Sequence, residues 1–180
     1  MRVITGTAKG RQLKTPKGLS TRPTADRVKE GIFSIIQFEV EGRRVLDLFA
    51  GSGQLGIEAL SRGAARAVFV DQGAEPIAVI KENLQKTGLS DRTTVVRSDY
   101  QSYLSGAREQ FDIVFLDPPY AENFLEIAIK SISEIDILRQ GGIIICEKPA
   151  GKDLGDDFSG LIRQKEYRYG KTSVVLYRKG

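Results

Sequence analysis

From Arg44 onward the sequence alternates short apolar, β-branched runs with helical runs, and few architectures accommodate that order. Val45–Leu48 reads as a strand, Gln54–Arg62 as a helix and Ala67–Asp71 as a strand. A helix over Glu75–Lys86, a strand over Thr93–Arg97 and a short helix over Tyr100–Leu104 come next. The strand Phe111–Leu116, a helix over 123–135 and a strand over 142–147 complete the series. Successive β–α–β units of this size build an α/β, doubly wound and mostly parallel sheet with helices on both faces. Ile162–Tyr169 and Ser173–Arg178, parted by Gly170-Lys171-Thr172, read as a closing antiparallel pair.

In such a sheet, ligands sit outside the carboxyl ends of the strands. Phe111-Asp112-Ile113-Val114-Phe115-Leu116 ends in Asp117-Pro118-Pro119-Tyr120. Neither proline can donate to a sheet ladder, so the strand stops there. A carboxylate, a rigid diproline and an aromatic ring at that position suit a flat polar ring. An exocyclic amine on guanine, adenine or cytosine is a weak nucleophile because its lone pair is delocalised. Asp117 can accept one of its N–H groups and the Pro118 carbonyl the other, which is preorganised electrostatic stabilisation. Tyr120 can stack on the base, which must be unpaired or flipped out to present its amine.

Asp47-Leu48-Phe49-Ala50-Gly51-Ser52-Gly53-Gln54-Leu55-Gly56 joins the first strand to its helix and contains G-x-G-x-x-G. By spacing alone this passes for a dinucleotide site. Asp47 argues otherwise, because its charge repels a pyrophosphate but attracts an ammonium group. S-adenosylmethionine, cationic and free of phosphate, fits better. Asp71, at the end of the second strand, is placed to accept both ribose hydroxyls, and Asp99, after the third, the adenine amino group. The candidate cofactor contacts are therefore Asp47, Phe49, Ala50, Gly51, Ser52, Gly53, Asp71, Gln72, Asp99 and Tyr100. For any one aspartate an ordinary loop carboxylate is the plain alternative; three at successive strand ends are harder to dismiss.

The net charge of +4 is unevenly spread: residues 1–29 carry +7 and the remainder −3. A basic appendage on a nearly neutral body suits a polyanion-binding arm. Residues 2–15 read as a short hairpin turning between Gly6 and Gly10, with Lys9, Arg11 and Lys14 on or near one exposed face. After a loop over Pro16–Pro23, Thr24 is a plausible N-cap for a helix from Ala25 to about Gln37. Arg22, Arg27 and Lys29 gather at its mouth. The organisation expected is one domain, with a basic extension over 1–40 and a catalytic, cofactor-binding core over 41–180.

No histidine and a single cysteine, Cys146 in an apolar run, leave no room for a Ser-His-Asp triad or zinc chemistry. No apolar stretch approaches the ~20 residues of a membrane helix, and no secretory leader is evident. A cytoplasmic monomer is the expectation, with no metal and no membrane partner.

Three longer strings carry a family resemblance: Arg22-Pro-Thr-Ala-Asp-Arg-Val-Lys-Glu, Val45-Leu-Asp-Leu-Phe-Ala-Gly-Ser-Gly and Gly56-Ile-Glu-Ala-Leu-Ser-Arg-Gly-Ala. With Asp-Pro-Pro-Tyr they resemble the bacterial RsmD-type small-subunit ribosomal RNA (guanine-N2-)methyltransferases, over nearly the whole chain. The resemblance implies a Rossmann-like class I methyltransferase fold with a seven-stranded sheet. It implies methylation of one guanine in 16S rRNA, in the small ribosomal subunit or its assembly intermediate, with S-adenosylhomocysteine as product. It also implies that Arg22-Pro23-Thr24 lies near the catalytic pocket. Gln54 departs from the small residue expected there. Lys9, Arg11, Lys14, Arg22, Thr24 and Arg27 are the candidate RNA contacts. The competing readings are a DNA adenine or cytosine amino-methyltransferase, an RNA-binding ribosome-assembly factor with a vestigial cofactor pocket and, last, a nicotinamide oxidoreductase.

Overall fold

A computed structural model describes residues 1–17, 23–119, 123–156 and 158–180, with the backbone alone over 23–25. The strands β1 (Arg44–Asp47), β2 (Arg66–Asp71), β3 (Thr93–Arg97), β4 (Phe111–Leu116), β5 (Leu138–Pro149), β6 (Leu161–Tyr169) and β7 (Thr172–Lys179) form one sheet. Its order is β3-β2-β1-β4-β5-β7-β6. β1 to β5 pair in parallel, and β7 lies antiparallel between β5 and β6. The seven-stranded α/β sheet expected from the sequence is thus present.

Side chains alternate between the two faces of each strand, and each face has its own apolar layer. On one, Phe69, Phe115, Ile143 and Ile145 pack under α1 (Pro23–Ile35), α2 (Gln54–Ser61) and α3 (Ala74–Thr87). On the other, Leu46, Val114, Leu116 and Cys146 pack under α4 (Tyr100–Gly106) and α5 (Phe124–Glu134). β4 is buried at all six positions because it is covered on both sides. The Cys146 thiol is fully enclosed, and burial pushes its pKa up, as befits a packed rather than a reactive group.

Two sequence expectations need correction. Helix α1 opens at Pro23, so Thr24 falls inside the first turn rather than capping it; proline suits that first position because its missing N–H has no partner there. β5 begins at Leu138, not 142: Leu138 pairs with Phe111, ahead of a register shift before Ile113. The short basic hairpin is present: Arg2 and Gln12 bridge antiparallel, the Val3 N–H donates to the Arg11 carbonyl and the Leu13 N–H to the Met1 carbonyl, and turns fill the segment between them.

The N-terminal arm is firmly held. Val3, Ala8 and Leu13 are buried. The Glu58 carboxylate, fully enclosed on α2, accepts the N–H groups of Ile4 and Thr5 at 2.9 and 3.0 Å and Nε of Arg62 at 2.8 Å. Lys29 on α1, 1% exposed, donates to the Arg2 carbonyl at 2.5 Å and lies 3.7 Å from Glu58. Burial lowers the Lys29 pKa and the Glu58 charge opposes that shift. A charge this buried is tolerated only because it is paired and hydrogen-bonded. Ser61 accepts the Ala8 N–H at 2.9 Å and donates to the Thr5 carbonyl at 2.6 Å. The arm is therefore bound mainly to α2 and α3, over the β1–β3 half of the sheet, with Arg2 also held by Lys29 on α1.

Candidate active site

The strand order reverses between β1 and β4, since the chain leaves β3 at the edge and re-enters beside β1. Such a switch point is where open α/β sheets hold ligands. Asp47 ends β1 opposite Phe115 of β4, and Asp117 stands two residues further along the same strand line.

Asp47 is 2% exposed and its Oδ2 accepts the Gly56 N–H at 3.1 Å. Burial raises its pKa to about 7; the Gly56 bond opposes this and the Asp71 charge adds to it. The glycine turn lets α2 come this close. Gly53 begins the helix at φ 78°, a left-handed conformation. A Cβ on Gly56 would stand 2.4 Å from Cε1 of buried Phe69 on β2. The Ala50 N–H donates to the Val70 carbonyl and the Leu48 N–H to Phe115, so the turn is tied to both neighbouring strands. Phe49 is half-buried, whereas Ala50 and Ser52 are buried.

Asp71 accepts the Gly51 N–H on Oδ2 at 2.9 Å and the Gly73 N–H on Oδ1 at 2.8 Å. Each carboxylate oxygen keeps a lone pair for a ligand, so Asp71 shapes the glycine turn while facing it. Gln72 is exposed beside it. Exposed Asp99 caps α4, accepting the Ser102 N–H at 2.9 Å, and that bond holds its pKa below the usual carboxylate range. This capping role is additional to the adenine contact expected from the sequence. Tyr100 packs against Phe49 with centroids 5.1 Å apart and the rings tilted by 44°, and meets Phe124 edge-on at 5.7 Å. Phe124, which opens α5, was missed in the sequence. Its ring joins the cofactor side of the edge to the start of α5.

Asp117 is half-buried, Pro118 buried and Pro119 exposed. Withdrawal from water, then the charges of Glu147 and Asp47, raise the Asp117 pKa well above the carboxylate range. Glu147 was also missed. Leu116 pairs with Cys146, so one step further along each strand Asp117 and Glu147 stand side by side. Asp47, Asp117 and Glu147 make the site a concentration of negative charge that a cation would relieve. Gln54 Oε1, at the head of α2, is enclosed and has no hydrogen-bond donor among the described residues.

Of the expected RNA contacts, Lys9, Arg11 and Arg27 are exposed. Lys14 is tied down: its Nζ pairs with Glu82 at 2.7 Å and its backbone is held by Asn83. Tyr120, Arg22 and the Thr24 side chain lie outside the described residues. Asn83 is a further residue that sequence reading missed. Fully buried on α3, it accepts the Lys14 N–H at 2.8 Å and donates to the carbonyls of Lys14 and Ser52, both at 2.9 Å. One side chain therefore links the arm to the glycine turn.

Comparison with known proteins bears on the family and the fold. YlbH of Bacillus subtilis is 43% identical over 99% of both chains. Ribosomal RNA small subunit methyltransferase D of Haemophilus influenzae is 36% identical over 99% of this chain and 92% of its own. A solved chain of Escherichia coli, yhhF, matches 99% of this chain with 97% of its own, at a TM-score of 0.87 and 31% identity. The fold is a class I methyltransferase fold. The family model described as Conserved hypothetical protein 95 matches residues 1–178, and the chain belongs to that family.

Proposed function

We propose that this chain transfers a methyl group from S-adenosylmethionine to the exocyclic N2 amine of a guanine in small-subunit (16S) ribosomal RNA. The observation that carries the reading is the buried Asp47 beside Asp117 at the switch point, both with raised pKa values. Two neighbouring carboxyls whose ionisation burial and mutual repulsion oppose are what a cationic sulfonium and its α-ammonium group would bring into the charged form. In this reading Asp47 and the Gly51–Gly53 turn hold the amino-acid end of the cofactor, Asp71 the ribose and Asp99 the adenine. Phe49, Ala50, Ser52, Gln72 and Tyr100 complete the walls. Asp117 and the Pro118 carbonyl accept the two N–H groups of the target amine, and Tyr120 stacks on the base.

The names of relatives support ribosomal RNA as acceptor. Exposed Lys9, Arg11 and Arg27 support a polyanion, and with Lys14, Arg22 and Thr24 they make up the expected RNA surface. The assembled or assembling small subunit, and a monomeric, cytoplasmic enzyme, belong to the same reading. The test is transfer of labelled methyl from S-adenosylmethionine to unmodified small subunits, naked 16S RNA and duplex DNA offered in parallel. Label in the RNA of the subunits is expected; label in duplex DNA alone would replace this reading with a DNA amino-methyltransferase.

A further inference from the structure

The N-terminal arm accounts for only one flank of the catalytic pocket. It lies over α2 and α3, on the β1–β3 side of Asp117. On the other side the sheet continues through β5, β7 and β6, and the β6–β7 turn reaches the same edge. Pro149, at the end of β5, pairs with Thr172 at the start of β7, and the Ala150 N–H donates to the Lys171 carbonyl at 2.8 Å. With strands spaced about 4.8 Å apart, the turn stands roughly 10–14 Å from the line of β4.

That turn is a rigid mount. Tyr169 pairs with Thr172, leaving the two-residue loop Gly170-Lys171, with Gly170 at φ +64°. Two-residue hairpin loops of this kind favour glycine for that conformation. Buried Lys148 on β5 is bound to Glu166 on β6 at 2.8 Å, beneath the loop. On the helical side, α1 packs across β6 and β7, and the Tyr169 hydroxyl lies where a Cβ on Gly31 would otherwise sit.

Two cations ride on this mount. Arg168 and Lys171 are both exposed, and among the described residues no carboxylate pairs with either. Arg168 Nε donates to the Gly170 carbonyl at 3.1 Å, a bond that ties the guanidinium to the turn through Nε and does not engage its two terminal nitrogens. A guanidinium held that way is set for two-pronged recognition of a phosphate. The other hairpin cations differ: Arg163 is spent on Asp153, Asp156 and Glu166, and Lys165 lies over the Tyr167 ring.

We propose that the β6–β7 turn is a second RNA contact, in which Arg168 and Lys171 hold phosphates of the strand on the side of the catalytic pocket away from the arm. The surface rests on the RNA reading above. It makes the enzyme grip the strand on both sides of the base presented to Asp117, and the base is thereby held out by its neighbours as well as by its pocket. Positioning of that kind lowers the barrier by fixing the reactants together.

The test is binding of unmodified small subunits by the double variant Arg168→Gln, Lys171→Gln across a salt series. Lys171→Gln alone serves as a second variant that leaves the Arg168–Gly170 bond intact. Lys130→Gln, on the opposite face of the sheet, is the control. Removing one phosphate-binding cation reduces the slope of log K against log salt by about 0.7 for a single strand. The double variant should therefore lose about sevenfold less affinity than wild type between about 50 and 200 mM salt. The single variant should show about half that change in slope, and the control none. Cofactor affinity should be unchanged in all three. Wild-type slope and affinity in both turn variants would overturn the surface while leaving RNA methylation standing. A wild-type enzyme with no affinity for RNA would remove the function reading and this surface with it.

Discussion

Asn83→Ala removes a buried side chain that joins the N-terminal arm to the glycine turn. Three hydrogen bonds of 2.8–2.9 Å disappear at a fully buried site. A buried hydrogen bond contributes about 0.5–1.5 kcal/mol net, and a buried group left unpaired costs about 1–3 kcal/mol. The truncation also leaves a cavity. The sum is a loss of about 3–5 kcal/mol, large against the 5–15 kcal/mol of a typical domain. For a chain of this size each kcal/mol moves Tm by about 2–4 °C, so a fall of about 10 °C is the central expectation. Urea denaturation with the slope m held near wild type measures the loss directly. Isothermal titration of the folded variant measures the second effect. With the Ser52 carbonyl released, S-adenosylmethionine affinity should fall about five- to tenfold, the equivalent of one hydrogen bond. A loss under about 1 kcal/mol with unaltered cofactor affinity would refute the reasoning, because the bridge would then hold neither segment.

Other outcomes follow from the same geometry. The native Asp47 carboxyl binds its proton more tightly than an unfolded aspartate does. Its contribution to stability is therefore complete below about pH 4 and is lost as pH rises through about 7. A cationic cofactor takes the ionised form, so affinity for S-adenosylmethionine should fall up to tenfold per pH unit below about 7 and level off above it; Asp47→Asn should flatten that titration. Gly56→Ala forces a methyl into Phe69 and should cost about 1–3 kcal/mol by thermal melting. Charge reversal at Lys9, Arg11 or Arg27 should lower RNA affinity and reduce its salt slope by at least about 0.7 each, and unchanged binding at all three would reduce the arm to a solvated tail.

The sheet was legible because its strands are short apolar runs punctuated by glycine and proline. The aspartates were legible because the strand ends could be located to within a residue or two. What escaped the sequence lies in pairings between distant positions. Glu58 and Ser61 read as an ordinary helix face, yet they bind Ile4, Thr5 and Ala8 more than fifty residues away. Asn83 looks like a solvated polar residue near the end of a helix. Glu147 gains meaning only when the β4–β5 register sets it beside Asp117. The charge of Lys14 is visible in the sequence, whereas its ion pair with Glu82 on α3 is not. Arg139-Gln140-Gly141-Gly142 has the composition of a turn, and pairing with Phe111 starts β5 before it.

The central claim is that Asp117 acts on a guanine amine in ribosomal RNA, and nucleoside analysis tests it most directly. Small subunits lacking the modification would be incubated with S-adenosylmethionine and either wild type or Asp117→Ala, then digested to nucleosides and resolved by mass. Wild type should yield N2-methylguanosine, and Asp117→Ala, still binding cofactor, should yield about 10²–10³-fold less per unit time. Methylation at wild-type rate by Asp117→Ala, or a methyl group on any other atom, would contradict the account.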